Sequence, residues 1–449
     1  MLDWLLRSLE YCADADEPQR THETLWVFTN LAVTSEGCRA LLLHGVPDKL
    51  CCVLYLDQPT DIVENALWTL GNIAGEGRAA VDSLIERGVF AHVCRYMADV
   101  YGGTVHIRAA LHNVLSWTVS NFLRVTPPLP FRVTVTALPQ LFFALRHFPA
   151  ARLTEALNDV LWSLSFVFRE ESVGVRFEYL FLSDDDIFLH ILAQLHVSRG
   201  LRTPALRIAG IVASLSHGEP VRAFTPPALA HLQRFARSLG PTDTHAMKEL
   251  SRLLSNLLSE EAAMVSRVLA SNTVQTLIPR VPTPPHGDAK SNLWRVASEL
   301  LWVMLNLLTN APPDDGGKPA MALVLLGSGA VTYCASTLAA AAALPGPLPN
   351  KPLGRLLTVV LTVVRTMVQT GDTGADLAVR AQGAEPRNVF LADFDAAGGC
   401  DALVKLIQSE QALASARDEA MQLHELLVSI LGDVAKGEAK QLGHTTLSF

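Results

Sequence analysis

Four tryptophans in this sequence each precede an asparagine by four residues. Positions i and i+4 lie on one face of an α-helix, so each indole would be presented together with its amide. An asparagine amide can donate to and accept from a peptide backbone, and indole faces attract the cationic side chains of lysine and arginine. A series of such pairs therefore predicts a surface that holds an extended, Lys/Arg-rich peptide. The pairs are Trp26–Asn30, Trp68–Asn72, Trp117–Asn121 and Trp302–Asn306.

Carboxylates recur at offsets of three, four or seven residues from these positions or from equivalent ones. Such offsets place two side chains on the same helical face. Charged residues on a helix are more often simply exposed to solvent, so each carboxylate has two possible roles, a solvated surface residue or a ligand-binding residue. Asp159 and Glu76 are the first candidates to hold a ligand cation. The full set is Glu23, Glu64, Glu76, Glu155, Asp159, Glu249 and Glu299.

The tryptophan motif recurs at intervals of about 45 residues, with weaker copies at Trp162, Arg207 and Arg252. Periods of roughly 40–47 residues are typical of armadillo and HEAT repeats. Apolar residues follow helical spacing, and no stretch shows the sustained alternation of a strand. We predict an all-α fold, an armadillo-repeat solenoid with a right-handed superhelix whose repeats contact only their neighbours.

The solenoid is expected to span residues 1–431, with an incomplete first repeat, an irregular stretch at 332–392 containing an Ala/Pro-rich loop, and a short polar tail at 432–449. The stretch 319–350 contains no charged residue, so its length alone would permit a membrane span. The Gly-Ser-Gly at Gly327–Gly329 and three later prolines instead favour two buried helices followed by a loop. Trp4 and Trp294 lack an asparagine four residues later and are expected in the core.

Composition argues against several classes of function. The net charge of -8 disfavours nucleic acid as a partner. The N-terminus has no basic start and no apolar run of signal length. The sequence contains no HExxH, GxSxG, P-loop or GxGxxG motif, and its fourteen histidines lack metal-ligand spacing. We therefore expect no enzymatic activity, no cofactor, no metal site and no membrane partner.

Longer motifs resemble one known family. Glu64–Glu76 reads E-N-A-L-W-T-L-G-N-I-A-G-E, Ser116–Arg124 reads S-W-T-V-S-N-F-L-R, and Thr203–Arg207 reads T-P-A-L-R. With Gly398–Asp401 (G-G-C-D) near the end, their order and spacing from about residue 20 to 430 resemble importin alpha. The resemblance implies a nuclear import adaptor that binds nuclear localisation signals, located in cytoplasm and nucleus. The alternative is an armadillo scaffold without a transport role.

The resemblance also implies two peptide-binding pockets. Glu76 stands where the family has aspartate, whereas Ile211 and Arg252 replace an asparagine and a tryptophan, so we expect a weakened minor pocket. The major pocket would comprise Trp26, Asn30, Trp68, Asn72, Glu76, Trp117, Asn121, Asp159 and Trp162. The minor pocket would comprise Arg207, Glu249, Asn256, Glu299, Trp302 and Asn306.

The family also carries a basic N-terminal segment that binds importin beta, and nothing similar precedes the first repeat here. Coupling to importin beta is therefore expected only if upstream sequence is missing. Residues 399–431 loosely resemble the family's last repeat, which binds the export receptor, so that receptor is a further expected partner.

Overall fold

The computed structural model describes residues 2–14, 17–102, 109–169, 187–215, 222–259, 262–311, 317–344, 351–370, 389–408 and 414–441. All regular secondary structure in these ranges is helical. The chain divides into two compact units, Met1–Ile211 and Val212–Phe449.

The first unit begins with a run of helices that are mostly short and amphipathic. Short 3-10 turns lie at Val135–Ala137 and Gln194–His196. The helices are α1 (Leu2–Asp14), α2 (Pro18–Leu31), α3 (Ser35–Leu43), α4 (Val46–Cys51), α5 (Thr60–Gly75), α6 (Arg78–Glu86), α7 (Val89–Gly102), α8 (Ala109–Leu123), α9 (Phe131–Thr134), α10 (Leu138–His147), α11 (Thr154–Val167), α12 (Ile187–Ala193) and α13 (Arg199–Ala213), the last of which ends in the second unit.

The second unit continues in the same manner, with a 3-10 turn at Ile278–Arg280. Its helices are α14 (Pro226–Ser238), α15 (Thr244–Leu258), α16 (Ala262–Ala270), α17 (Thr273–Leu277), α18 (Leu293–Thr309), α19 (Gly317–Gly327), α20 (Ala330–Ala342), α21 (Lys351–Thr370), α22 (Val389–Ala396), α23 (Gly399–Gln408) and α24 (Ala414–Gln441).

Four helices of the first unit pack side by side and form what we call the first row: α2, α5, α8 and α11. Their packed faces are apolar, and side chains such as Phe28 and Leu67 are fully buried. Hydroxyl groups connect neighbours within the row. Thr29 and Thr69 approach to 2.9 Å through their Oγ1 atoms, and Thr118 Oγ1 donates to the Leu67 carbonyl at 3.0 Å. Burial and these bonds fix the rotation of each helix, which decides the residues left exposed.

A second row in the second unit comprises α15, α18, α21 and α24, which pack in succession. The Asn310 side chain donates through Nδ2 to the Leu258 carbonyl at 2.8 Å and so ties the end of α18 to α15. The exposed face of α18 carries Arg295, Trp302 and Thr309, whereas Leu300, Met304 and Leu307 are completely buried.

Turns between helices use glycine where the backbone turns left-handed. Gly45 has φ of 70° immediately before α4, and Gly88 has φ of 75° between α6 and α7. Such φ values are strained for residues with a side chain, which explains glycine at these two positions.

Helix α21 lies inside the stretch 332–392 that the sequence predicts to be irregular, and its buried valines and leucines form a helical stripe. Helix α24 continues into the predicted polar tail and ends at Gln441. One expectation about a tryptophan needs correction. Trp4 is 69% exposed rather than buried, because α1 turns Leu5 and Leu9 inward. Trp294, 7% exposed, is a core residue as expected.

The apolar stretch around residue 330 forms two helices rather than one. The segments 320–327 and 330–342 meet at an angle of 68°, with the break at the expected glycines. Within the described residues, no single helix has the length and hydropathy of a membrane span, and only this bent pair meets those criteria together.

Candidate functional site

The tryptophans of the repeated motif lie on the surface of their rows. Trp26 is 58% exposed, Trp68 45% and Trp302 44%, while Trp117 and Trp162 are half-buried. Large aromatic side chains normally contribute to a core, so repeated exposure at one position of successive helices indicates a surface that contacts something else.

Trp68 and Trp117 form a pair on adjacent helices of the first row. Their ring centroids are 4.8 Å apart and their planes are inclined by 44°. The pair depends on Gly71, because a Cβ atom there would lie 2.3 Å from Cζ3 of Trp117. The absent side chain thus allows the indole to lie directly against the backbone of α5.

Beside this pair lies a cavity of about 620 Å³, entirely within the first unit. The indoles of Trp68 and Trp117 form apolar walls, and the carboxylates of Glu64, Glu155 and Asp159 line the same space. Aromatic faces and carboxylates are the two groups that attract an organic cation. The cavity therefore has the composition of a binding site for a lysine or arginine side chain.

The carboxyl group of Asp159 in this cavity has a raised pKa. Burial, followed by repulsion from Glu155 one turn earlier, raises its pKa from 3.8 to about 6. The Asp159 carboxylate has neither a hydrogen bond nor an ion pair with any described residue. A cationic ligand would therefore stabilise its charged form.

Asn113 is a cavity residue that the sequence interpretation missed. Its Nδ2 donates to Oε2 of Glu155 at 2.8 Å, and its buried Oδ1 has no hydrogen-bond partner. A buried acceptor without a donor is energetically unfavourable. Asn113 lies four residues before Trp117, and this spacing could have identified it.

The asparagine side chains of the motif differ in their hydrogen bonds. Asn121 is 3% exposed and donates through Nδ2 to the Gly71 carbonyl at 3.2 Å, so it links α8 to α5. The Asn30 side chain bonds back to the Trp26 carbonyl at 2.8 Å. The half-buried Asn72 has no side-chain hydrogen bond with described residues. Of these three amides, only that of Asn72 is entirely free for a ligand.

The Trp162 position already holds a cation from the chain itself. The Arg207 guanidinium lies over the Trp162 ring, 5.8 Å from its centroid. The Phe166 ring stacks on the same indole at 5.8 Å, and Arg169 in turn lies over Phe166. The structure thus places Arg207, expected in the minor pocket, beside a residue expected in the major one.

Two expected carboxylates lie outside the cavity. Glu23 is exposed on α2 and accepts a hydrogen bond from Gln19. Glu76 is exposed at the C-terminal end of α5, where Arg124 donates to the adjacent Gly75 carbonyl at 3.5 Å. Trp26, Asn30, Asn72, Asn121 and Trp162 also lie outside it.

The second row has an exposed tryptophan, Trp302, but the polar residues around it differ from those of the first row. Asn306 donates to the Ser255 carbonyl at 2.9 Å, and the half-buried Asn256 has no side-chain hydrogen bond with described residues. Lys248 pairs with Glu249 at 2.8 Å. Burial raises the pKa of Glu299, against the opposing effect of Arg252 and Lys248.

Comparisons with known proteins agree with this architecture. The profile of the armadillo/β-catenin-like repeat matches residues 35–75. Importin subunit alpha-2 of Arabidopsis thaliana is 31% identical over 163 residues, which cover 36% of this chain and 28% of that protein. The chain is a divergent relative of the importin alpha subunits. Importin subunit alpha-1b of Oryza sativa subsp. japonica is 27% identical over 207 residues, 45% of this chain and 36% of the relative.

The match to these importin alpha subunits covers about a third of their length. An engineered protein of known crystal structure is 13% identical, with a TM-score of 0.58 over 94% of this chain and 98% of that one. Together with the repeat profile and the helical rows, this likeness confirms the prediction of an all-α armadillo solenoid.

Proposed function

We propose that the first row binds nuclear localisation signals, that is, extended Lys/Arg-rich peptides, and that the chain acts as a nuclear import adaptor. The observation that carries this proposal is the cavity beside Trp68 and Trp117, which three carboxylates line. A lysine stem would pack against the indoles while its ammonium group meets Asp159, whose carboxylate has no partner among the described residues.

Backbone recognition would come from Asn72 on α5. Its side-chain amide offers a donor and an acceptor that make no hydrogen bond with described residues. Each cation–π contact contributes about 0.5–2 kcal/mol, and each hydrogen bond to a charged group about 1.5–3 kcal/mol. Micromolar affinity corresponds to about 8 kcal/mol, so many such contacts must act together, with apolar packing of the peptide, to reach it after the cost of ordering the peptide.

The test measures binding of the whole chain to a fluorescent monopartite Lys/Arg-rich peptide by polarisation. Asp159→Lys places a cation where the ligand's cation would lie, and binding should be lost. The matched control is Glu86→Lys, the same charge reversal at an exposed position of α6 outside the first row. Unchanged binding in Asp159→Lys, or equal losses in both variants, would refute the cavity as the binding site. Absence of binding in the wild-type chain would instead favour an armadillo scaffold for another ligand.

The transport role needs a separate test. The expected partners are cargo proteins with basic signals and the export receptor of importin alpha, and importin beta is expected only if upstream sequence is missing. A cargo fused to the same basic peptide should recruit this chain, and the purified export receptor should bind the chain. Cargo binding without binding of the export receptor would contradict the adaptor role but leave the peptide site intact.

A further inference from the structure

Three helices of the second row, α15, α18 and α21, have an exposed face whose charge differs from that of the first row. Lys248 and Arg252 on α15, Arg295 on α18 and Arg355 on α21 provide four cations. On these three helices the carboxylates of that face are Glu249 and Glu299, and Glu249 is already paired with Lys248. The fourth helix of the row, α24, instead carries Asp418, Glu419 and Glu425. By contrast, carboxylates surround the paired indoles of the first row.

The arginines of this face are available to a partner. Arg252, Arg295 and Arg355 are exposed, and none lies within ion-pair distance of a carboxylate of the described residues. Neighbouring packed helices lie about 8–10 Å apart, so the three helices spread these guanidinium groups over roughly 20 Å. An extended peptide covers that distance with about six residues.

The groups that would hold a peptide backbone are still present. The Trp302 indole is 44% exposed, and the Asn256 amide on the adjacent helix makes no hydrogen bond with described residues. The side chain of Asn306 donates through Nδ2 to the carbonyl and hydroxyl oxygens of Ser255, and these bonds fix the orientation of its amide. Helices α15, α18 and α21 therefore keep an aromatic wall and a free amide, while their exposed charge is opposite to that of the first-row cavity.

We propose that helices α15, α18 and α21 of the second row bind an extended peptide rich in aspartate and glutamate. Arg252 would meet a peptide carboxylate directly beside the Trp302 indole, and Arg295 and Arg355 would meet neighbouring ones, because guanidinium groups recognise carboxylates through paired N–H donors. A Lys/Arg-rich peptide would encounter these arginines first and be repelled. The proposal concerns a second ligand of opposite charge and is independent of what the first row binds.

The test uses the full chain and a short fluorescent Asp/Glu-rich peptide, with an Asn/Gln version as the uncharged reference. The acidic peptide should bind more tightly than the reference, and salt should weaken its binding. Arg252→Glu should reduce the affinity by at least about tenfold, because it replaces a charge-assisted contact by repulsion. Arg252→Trp should also lose the acidic peptide, since it removes the guanidinium but restores an aromatic side chain.

Two controls separate this site from general charge effects and from the first row. Arg237→Glu changes the same charge on α14, a helix outside the row, and should leave the affinity within about twofold, as for an exposed charge distant from a site. Asp159→Lys should abolish binding of the basic peptide without weakening that of the acidic one. Acidic-peptide binding that is absent, or equally sensitive to Arg237→Glu and Arg252→Glu, would overturn the proposal. Tighter binding of a single-stranded RNA of equal charge would also overturn it, because it would indicate a general polyanion surface.

Discussion

Peptide binding to the first row should depend on pH through Asp159, whose pKa is about 6. If the ligand's cation binds only the ionised carboxylate, the apparent affinity follows the ionised fraction of Asp159. That fraction is about 0.9 at pH 7 and about 0.1 at pH 5, so the affinity should fall about tenfold, or about 1.4 kcal/mol, between these values. An aspartate with an ordinary pKa of 3.8 would remain almost fully ionised across the same range.

The assay is polarisation of the fluorescent Lys/Arg-rich peptide between pH 5 and pH 8 at constant ionic strength. Asp159→Asn should bind more weakly at pH 7 and lose the dependence on pH. His112 lies near the cavity, and burial lowers its pKa from 6.5, so His112→Asn serves as the control that should keep the dependence. A flat profile for the wild-type chain, or the same slope in Asp159→Asn, would refute the reasoning.

Three further predictions concern the packing of the first row. Gly71→Ala should destabilise the fold by about 1–3 kcal/mol through overpacking against the adjacent indole, and it should weaken peptide binding. The control is Gly210→Ala, where an added Cβ meets no atom within 4 Å, and this substitution should stabilise the fold by about 0.5–1 kcal/mol. Thermal melts that rank the two variants alike would contradict this prediction. Asn121→Ala should lower stability by about 1–2 kcal/mol because it breaks a buried hydrogen bond, while Asn72→Ala should leave the melting temperature unchanged and reduce peptide affinity. Without ligand at pH 7, Asp159→Asn should melt higher than the wild type. The raised pKa means that this carboxylate favours folding only when protonated, and that contribution is lost as pH rises from about 4 through 6; an advantage that persists at pH 4 would disagree.

Much of the repeat architecture follows from the sequence because helical spacing and repeat period are local properties. The exposure of Trp26, Trp68 and Trp302 agrees with the i and i+4 argument. The same argument did not reveal that the Asn121 amide would bond to Gly71, because that contact depends on how closely two helices approach. Spacing predicts which side chains share a face, whereas the partner of each side chain depends on packing.

Other site features required the three-dimensional structure for different reasons. The stacking of Arg207 on Trp162 depends on the rotamers of a long side chain that could equally extend into solvent. The grouping of Glu155 with Asn113 depends on the distance between two helices that are separate in sequence. Trp4 was misplaced because an amphipathic helix shows which residues pack together, and its neighbour Leu5 is the residue that packs.

The guanidinium of Arg207 on the Trp162 indole affects how the affinity of the first row for a peptide depends on the number of charges in the peptide. A ligand cation arriving there must displace one that is already bound, so the contact formed replaces an equivalent contact and contributes little net free energy. An additional lysine at this end of a peptide would therefore be an exchange rather than a gain. Affinity should level off once the unoccupied positions are filled, and the row would then distinguish peptides by where their charges lie more than by how many they carry.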